Sequence, residues 1–512
     1  MTDSLQDAAS ARPVFDPFDP TWASDPFPLY ADLRERAPIH RNDLGFWVLA
    51  RHEDCLAVLR DRRASSDSLN IDIDRMPEGF RTPMAEDDPM ATAMIEMRPF
   101  LFRDPPDHTR LRGLVSKAFT PKVVESLRDR APIHRNDLGF WVLARHEDCL
   151  AVLRDRRASS DSLNVDTDRM PEGFRAPLPE DDPIAMAMIE MRPFLFRDPP
   201  DHTRLRGLVS KAFTPKVVES LRDRTQQVVD ELLDAAIDAD RVDLLEEFAY
   251  PLPVRIICDM LGVPVEDQDR FKEWSGALAR GLDPDFLLTE EIIVARGQAV
   301  AQFAQYFFEL LAERRRVPGD DLLTRLVEAE EGDTVLSEAE LLSTCILLLV
   351  AGHETTVNLI SGGTLALVQN PDQFERFRTD PGVTRSGVEE MLRFVSPVQL
   401  TGRALTEDCE FGGVELAKGD FAMLLLASAN HDPAQFEEPE RFDVGRTPNN
   451  HLGFGFGIHH CLGAPLARLE VQVALTSLVQ RAPALTLTVE DVTYKTNVVL
   501  RGMECLPVAM RG

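Results

Sequence analysis

The sequence predicts a mainly α-helical protein with a minor β-sheet part. After residue 224, apolar residues recur at helical spacing in a series of segments, and one very long apolar segment extends to about Val368. The clearest short strand-like segments lie between residues 398 and 426. Apolar residues three and four positions apart share one face of a helix, whereas a half-buried strand requires strict alternation, so the helical pattern dominates.

Five segments before the long helix have helical spacing: residues 225–238, 244–261, 266–282, 290–316 and 320–330. Pro, Gly and Asp residues separate them, as is usual at helix ends. The long helix is predicted to begin after Ser337, because Ser337 and Glu340 have the spacing of a capping box, and to end before Pro371. A last helix is expected over residues 462–481.

Residues 37–130 and 131–224 are two copies of one 94-residue segment. The copies differ at only seven positions: Ile71/Val165, Ile73/Thr167, Thr82/Ala176, Met84/Leu178, Ala85/Pro179, Met90/Ile184 and Thr92/Met186. Solenoid repeats are shorter and need several units, so the pattern indicates a segmental duplication, although a gene-assembly artefact would look the same. The predicted organisation is an N-terminal segment with a first helix (1–36), a first copy that is partly surplus (37–130), a second copy (131–224) and a main helical part (225–512). Together they form one domain of 1–512 with an insertion.

Each copy is predicted to contain a β-hairpin, a short helix, a Pro-rich stretch and a second helix. In the first copy these elements fall at 38–51, 52–60 and, for the second helix, 107–119. We expect the second helix of the folded protein to come from copy two, because copy two runs directly into the helix at Thr225 and a short connection costs less loop entropy. The hairpin could come from either copy.

The formal net charge of −30 argues against binding to nucleic acid or to an anionic membrane, because both would repel the protein. The N-terminal residues are polar and acidic, unlike a signal peptide, and no run approaches the roughly 20 apolar residues that span a bilayer. We therefore expect a cytoplasmic protein. The seven cysteines are scattered, without the pairs of a zinc site or the density of a disulfide framework.

Cys461 lies in a glycine-rich loop, FGFGIHHCLGAP at residues 454–465, just before the last predicted helix. A cysteine there gains from the positive end of the helix dipole and from unpaired backbone N–H groups, and both stabilise a thiolate. The glycines allow tight bends and a close approach to a flat macrocycle. An inert buried cysteine in a glycine-rich turn is the alternative.

The loop resembles the haem-binding signature F-x-x-G-x-[HR]-x-C-x-G of the cytochrome P-450 superfamily. Its fixed positions are matched by Phe454, Gly457, His459, Cys461 and Gly463. The resemblance implies the cytochrome P-450 fold, with a long central helix over haem b, a cysteine loop before the last helix and Cys461 as the iron ligand. A thiolate ligand donates electron density to the iron and favours O–O cleavage.

The long helix contains the sequence AGHETT at residues 351–356. The resemblance implies that this segment crosses one face of the haem, where Thr355 hydrogen-bonds the reacting oxygen and Glu354 relays protons. The alternative is a solvent-facing acid and alcohol beside a core glycine. The resemblance also implies a substrate pocket lined by Leu348, Ala351, Gly352, Val398 and Leu400.

The resemblance further implies a structural network that fixes the chain leading to the cysteine, formed by Glu390, Arg393 and Arg441. Residues 390 and 393 have the spacing that places two side chains on one helix face. By itself such a pair is weak support, because most i,i+3 ion pairs lie on the surface.

Two haem carboxylates require cationic partners or hydrogen-bond donors, and arginine is well suited to them. The resemblance assigns this role to His202, Arg206, Arg403 and His459. His108 and Arg112 are the equivalents of His202 and Arg206 in the first copy.

These features predict a bacterial haem-thiolate monooxygenase that inserts one oxygen atom from O2 into a hydrophobic small molecule, by hydroxylation or epoxidation. The resemblance implies NAD(P)H-derived electrons that arrive through a ferredoxin reductase and a ferredoxin. A basic stripe could form part of the ferredoxin-docking face: Arg204, Arg206, Lys211 and Lys216. The alternatives are a haem-thiolate peroxygenase, and a haem-binding or ligand-binding protein whose catalysis the duplication has impaired.

Overall fold

The computed structural model describes most of the chain from residue 131 to 512 and short pieces before it. The gaps after residue 131 are 137–138, 167–168, 170–191, 269, 284–289, 329, 332–333 and 496, and the earlier pieces are 32–33, 35–37, 39–41, 47–49, 51 and 128–129. The chain divides into two compact units, Met1–Val115 and Ser116–Gly512. The boundary falls inside the first copy of the repeat.

The described part of the first unit contains a β-hairpin of strands β1 (Ile39–Arg41) and β2 (Trp47–Leu49). The strands are antiparallel, with His40 opposite Val48. The other elements predicted for copy one, and most of the predicted helix before it, lie outside the described residues.

The second unit begins with the hairpin of copy two, β3 (Ile133–Arg135) and β4 (Trp141–Leu143), which has the same register as the hairpin of copy one. Here the hairpin belongs to a larger sheet of order β3-β4-β12-β9-β5, which adds β5 (Ala158–Ser159), β9 (Thr401–Leu405) and β12 (Phe421–Leu424). Strand β4 pairs in parallel with β12, and β12 pairs antiparallel with β9. Copy two therefore supplies three of the five strands, although the sequence left both copies open as the source of the hairpin.

Helices form most of this unit. In chain order they are α1 (His146–Arg154), α2 (Asp201–Ala212), α3 (Pro215–Ser220), α4 (Arg222–Ala239), α5 (Pro251–Leu261), α6 (Arg270–Arg280), α7 (Glu290–Arg316), α8 (Leu322–Val327), α9 (Glu338–Gln369), α10 (Pro371–Thr379), α11 (Thr384–Val395), α12 (Leu426–Asn430) and α13 (Ala464–Arg481). Short strands complete it: β6 (Arg241–Asp243), β7 (Glu330–Glu331), β8 (Thr334–Val335), β10 (Cys409–Phe411), β11 (Val414–Leu416), β13 (Thr486–Leu487) and β14 (Pro507–Ala509). The predicted fold class, mainly helical with a minor sheet, is confirmed.

Helix α9 begins where its sequence predicts. The backbone N–H of Glu340 donates to Ser337 Oγ at 3.2 Å, and the N–H of Ser337 donates to Glu340 Oε2 at 2.8 Å, so the capping box is complete. The predicted single helix over 244–261 is wrong. A one-turn π-helix, Leu245–Ala249, precedes α5, whose first residue is Pro251, because proline lacks the N–H that an uninterrupted helix would need.

Helix α9 is the central helix of the core and packs against α5, α7, α11 and α13. It is also the one helix in the described ranges that is long and apolar enough to cross a membrane. Two thirds of its most apolar window are buried inside the protein (67%), as expected of a core helix rather than of a membrane span.

Candidate functional site

The loop before α13 is held by one backbone hydrogen bond between its two ends and by a second hydrogen bond from its start to the Asn430 side chain. The N–H of Cys461 donates to the carbonyl of Phe454 at 2.9 Å, and the N–H of Leu452 donates to Asn430 Oδ1 at 2.7 Å. The guanidinium of Arg468, from α13, lies 4.5 Å from the centre of the Phe454 ring. These contacts fix Cys461 just before α13, which begins at Ala464 rather than at the predicted residue 462.

Gly457 occupies a position that excludes other residues. Its φ of +73° lies in the left-handed region, and a Cβ added there would lie 2.4 Å from the carbonyl oxygen of Leu153 at the end of α1. The loop therefore touches the backbone of the copy-two helix at this point. Gly463 is also close to the cysteine, since an added Cβ would lie 3.9 Å from Cys461 Sγ.

The side chain of Cys461 is solvent-accessible, although protein atoms surround much of its sulfur. Burial raises the pKa of the thiol above its usual value, and the backbone N–H groups of Gly463 and Ala464 and the nearby Arg206 act in the opposite direction. The sulfur is thus accessible to a ligand while the helix terminus favours its anionic form.

The four side chains predicted to hold carboxylates come from three separate elements and converge near this loop. The rings of His202, on α2, and His459, in the loop, have centroids 4.1 Å apart. Arg206, one turn after His202, donates to the carbonyl of His460. Arg403, on β9, is buried, and burial lowers its pKa to about 10.

Within the described part of the chain, none of these four side chains forms a salt bridge with an acidic residue, although the carboxylate of Asp198 acts on His202 and Arg403 from a longer distance. Both ring nitrogens of His202 and Nε2 of His459 are buried without a hydrogen-bond partner in the described part of the chain. Burial and the positive charges of His202, Arg403 and Arg206 lower the pKa of His459 to about 3. Buried donors and cations that repel one another would be stabilised by an anion placed between them.

The predicted acid and alcohol lie in the middle of α9. Glu354 is buried, and burial, which would raise its pKa, is outweighed by His353 and Lys495, so that its pKa is lowered. The hydroxyl of Thr355 donates to the carbonyl of Ala351 at 2.9 Å. Ala351 is exposed and Thr355 is half-buried on a helix whose other central residues are mostly buried, so this face of α9 is open.

Comparison with known proteins identifies the family. Residues 186–381 and 382–496 match the family model described as Cytochrome P-450. The polyketide biosynthesis cytochrome P-450 PksS of Bacillus subtilis is 40% identical over 398 residues, which are 76% of this chain and 95% of that protein. The chain belongs to the cytochrome P-450 family.

Other relatives agree. Cytochrome P-450 107B1 of Saccharopolyspora erythraea is 42% identical over 379 residues, which are 73% of this chain and 90% of the relative. The crystal structure of Mycobacterium smegmatis CYP164A2 superposes with a TM-score of 0.69 at 40% identity, over 78% of this chain and 99% of that one. This cytochrome P-450 is a haem-thiolate monooxygenase, and its cofactor is haem b with a cysteine ligand.

The structural network of this cytochrome P-450 differs from the prediction in one member. Glu390 and Arg393 are fully buried and form two hydrogen bonds of 2.8 Å. The third member is Arg446, whose Nε lies 3.1 Å from both oxygens of Glu390. The prediction of Arg441 is wrong, because its side chain is exposed and pairs with Glu438 at 3.0 Å.

Arg441 still takes part through its backbone. Its carbonyl accepts hydrogen bonds from Arg393 at 3.3 Å and from Arg446 at 2.9 Å. The two arginines also bind the carbonyls of residues 430, 437, 438 and 439. The network therefore fixes the backbone of the segment that leads to the cysteine loop.

The predicted pocket residues do not form one group. Leu348 belongs to the main core around α9, whereas Leu400 belongs to a small separate cluster with Val142, Ala144 and Leu425. Val398 is half-buried and forms an isolated bridge with Leu500. A Cβ added to Gly352 would lie 3.2 Å from the Ile257 side chain, so this glycine lets α9 approach α5 closely.

Sequence reasoning missed two buried ionisable groups in this cytochrome P-450. His353 lies beside Glu354 within the AGHETT segment, and its Nε2 is 3.6 Å from Glu354 Oε1. Glu470, on α13, is fully buried. Neither has a sequence signal of its own: both occur within helical apolar patterns, and only the packing shows that their polar atoms are buried.

Proposed function

We propose that this protein inserts one oxygen atom from O2 into a hydrophobic small molecule, by hydroxylation or epoxidation, with Cys461 as the haem ligand and a ferredoxin as electron donor. The observation that carries the proposal is the proximity of an accessible cysteine sulfur to a cluster of four buried or half-buried side chains that are cations or hydrogen-bond donors. Haem b has one iron, which a thiolate can ligate, and two carboxylates, which need such partners.

The residues fit the cofactor. His202, Arg206, Arg403 and His459 would hold the two carboxylates, whose negative charge offsets the mutual repulsion of the cluster. Phe454, Gly457 and Gly463 shape the loop around Cys461. Bound haem supplies the iron centre at which oxygen is cleaved, and the thiolate favours that cleavage.

The side chains of α9 provide the proton chemistry. Glu354 is buried and anionic by the direction of its pKa, so it can accept a proton and release it again at the same carboxyl oxygen. The Thr355 hydroxyl is fixed by its bond to Ala351, with its oxygen free to accept one hydrogen bond more. We assign to Glu354 the relay of protons, and to Thr355 the role of a fixed hydroxyl that directs the transferred proton.

The substrate is proposed to be a hydrophobic product of secondary metabolism. The name of one relative places it in polyketide biosynthesis, and that of another is 6-deoxyerythronolide B hydroxylase. The open face of α9 at Ala351 and Thr355, with Leu348 one turn before Ala351, would form one wall of the pocket, and Val398 and Leu400 would contribute from the segment before β9.

The electron donor is proposed to be a ferredoxin, reduced by a ferredoxin reductase with NAD(P)H-derived electrons. The basic stripe predicted to contribute to the ferredoxin-docking face is smaller than the sequence suggests. Arg204 pairs with Glu340, and Arg206 binds the carbonyl of His460. Lys211 and Lys216 remain on the exposed surface. A cytoplasmic location agrees with the burial of the long apolar helix α9.

The proposal is tested by spectroscopy followed by turnover. The reduced, carbon monoxide-bound protein should show the long-wavelength absorption of a thiolate-ligated haem, and a ferredoxin system should drive incorporation of one ¹⁸O atom from ¹⁸O2 into a hydrophobic substrate. Incorporation that requires peroxide and ignores Thr355→Ala would establish a peroxygenase instead. A thiolate spectrum without any turnover would leave only a haem-binding function.

A further inference from the structure

His353 is buried next to the catalytic acid proposed above, and its hydrogen bonds restrict where its protons lie. Its ring is 1% exposed, and Nδ1 lies 2.7 Å from the carbonyl oxygen of Leu349, one turn earlier in α9. A carbonyl oxygen can only accept, so Nδ1 must carry a hydrogen and donate it. In a neutral ring, Nε2 would then be a bare acceptor.

Nε2 of His353 faces an acceptor. It is buried without a hydrogen-bond partner among the described residues, and the nearest charged atom is Glu354 Oε1 at 3.6 Å. A bare nitrogen lone pair and a carboxylate at this distance would repel each other where little water can screen them. One additional proton between the two atoms turns this repulsion into attraction.

We infer that His353 and Glu354 form an imidazolium–carboxylate pair that stores one proton beside Thr355, so that His353 positions and recharges Glu354. This inference rests on the proposed function. The lowered pKa of Glu354, despite its burial, supports the charged form of the pair. His353 is assigned an effect through Glu354 alone, so it is a positioning residue rather than a catalytic one.

Among the described groups packed around the pair, Glu354 is the carboxylate that faces the His353 ring. Tyr250, the residue before α5, presents its ring edge-on to His353, with centroids 6.0 Å apart, and Cys258 lies in α5. Further out, Lys272 lies 5.2 Å from the Tyr250 ring and pairs with Glu246. Lys495 acts on Glu354 from the C-terminal segment.

The proton transfers balance without another reactant. The Nε2–H bond of His353 breaks as an O–H bond forms on Glu354, which then passes the proton towards Thr355. His353 is left neutral with its Nδ1–H bond to Leu349 intact, and solvent water returns a proton to Nε2. No electrons move in these steps.

The charge of His353 can be measured without turnover. The diamagnetic ferrous, carbon monoxide-bound protein, labelled with ¹⁵N in its 11 histidines, should show one ring with both nitrogens protonated at neutral pH that disappears in His353→Asn. The same ring should become neutral in Glu354→Gln. A neutral His353 ring with a bare Nε2 in the unchanged protein would overturn the inference.

Turnover provides the second measurement. His353→Asn, which keeps a donor near Leu349 but cannot ionise, should keep the thiolate spectrum and KM while product formed per O2 consumed falls about tenfold. This fall is smaller than the roughly 10²–10⁴-fold effect of removing a direct acid–base group, because His353 acts through Glu354. The pH profile of this coupling should also differ from that of the unchanged protein, because the variant cannot store a proton beside Glu354. His431→Gln, which removes a half-buried histidine paired with Glu440, is the matched control and should change neither.

If His353→Asn does not fold, His353→Gln is the second variant for both measurements. Unchanged coupling and an unchanged pH profile in a folded variant would contradict the inference. Failure of the proposed function would appear differently, as absence of the thiolate spectrum or of turnover in the unchanged protein, while the ¹⁵N spectrum would still report the charge of the pair.

Discussion

At the scale of single residues, Glu470 shows how burial alone controls a carboxyl group. It is 1% exposed on α13, both of its oxygens lack a hydrogen-bond partner among the described residues, and burial raises its pKa well above the ordinary value. The folded protein therefore holds this proton at a pH where the unfolded chain has released it. Stability from this group is present below the unfolded pKa of about 4.3 and decreases as the pH rises.

Glu470→Gln should remove this dependence. We expect the variant to match the unchanged protein near pH 4 to 5 and to be more stable near pH 8, because each pH unit between the two pKa values costs about 1.4 kcal/mol for one proton. Guanidinium unfolding of the haem-loaded proteins at both pH values is the measurement. Equal stability at pH 8 would show that the carboxyl group is ionised and solvated in the folded state.

The Glu390 network makes a residue-scale prediction that separates two neighbouring arginines. Arg446→Ala should lower the free energy of unfolding by on the order of 3 kcal/mol and reduce haem content, because it leaves the buried carboxylate of Glu390 with fewer partners. Arg441→Ala is the control and should leave the unfolding midpoint and haem content unchanged, since its side chain is exposed. A loss of stability and haem content in Arg441→Ala but not in Arg446→Ala would contradict the structure.

These residues also show where sequence reasoning stops. The spacing of Glu390 and Arg393 identifies a helical pair, but Arg441 and Arg446 both lie in a segment without regular structure, and only its folded path decides which guanidinium reaches Glu390. His353 and Glu470 carry ordinary helical spacing, so their burial follows from the neighbouring helices. The residues matched by the P-450 signature could be named from the sequence because a loop motif fixes their local order.

At the scale of elements, the cysteine loop depends on glycine at one point above all. Gly457→Ala should cost more than the roughly 1–2 kcal/mol of placing a side chain in the left-handed region, because its Cβ would also meet the Leu153 carbonyl, and haem content should fall. Gly413→Ala is the control, with a φ of +78° and no atom within 4 Å of the added Cβ. The loss of stability in Gly413→Ala should be limited to backbone strain. Guanidinium unfolding and haem titration of both variants are the measurements.

Equal effects of the two glycine substitutions would show that the contact with α1 does not constrain the loop.

The helices themselves were largely predictable, and α7 and α1 have the boundaries expected from their apolar spacing. The division before Pro251 was missed because the apolar pattern continues across it. The order of the five-stranded sheet depends on strands far apart in the chain, which local patterns do not specify.

At the scale of the whole molecule, the described contacts of copy two with the rest of its unit are made by residues that copy one also contains. Trp141 Nε1 donates to Asp420 at 2.8 Å, and the N–H of His146 donates to Asp432 at 2.9 Å. Their first-copy equivalents are Trp47 and His52. Since both copies contain these residues, it is the direct covalent connection to Thr225 that favours copy two over copy one in the folded unit.

We therefore expect the two copies to respond differently to the same change. Arg206→Ala should lose haem, whereas Arg112→Ala, whose position lies outside the described residues, should retain it. A deletion that joins Arg36 to Ala131 should fold and bind haem, because Arg34 then takes the sequence position of Arg128, which binds the His431 carbonyl. Equal haem loss from both arginine variants would refute the assignment to copy two.

The central claim is that the sulfur of Cys461 ligates the haem iron, and the most direct test is the absorption spectrum of Cys461→Ser in the reduced, carbon monoxide-bound state. Cys505→Ser, at a half-buried cysteine in the C-terminal segment, is the matched control. We predict that the long-wavelength thiolate band and oxygen-dependent product formation disappear in the Cys461 variant and persist in the Cys505 variant. A thiolate band that survives in Cys461→Ser would contradict the account.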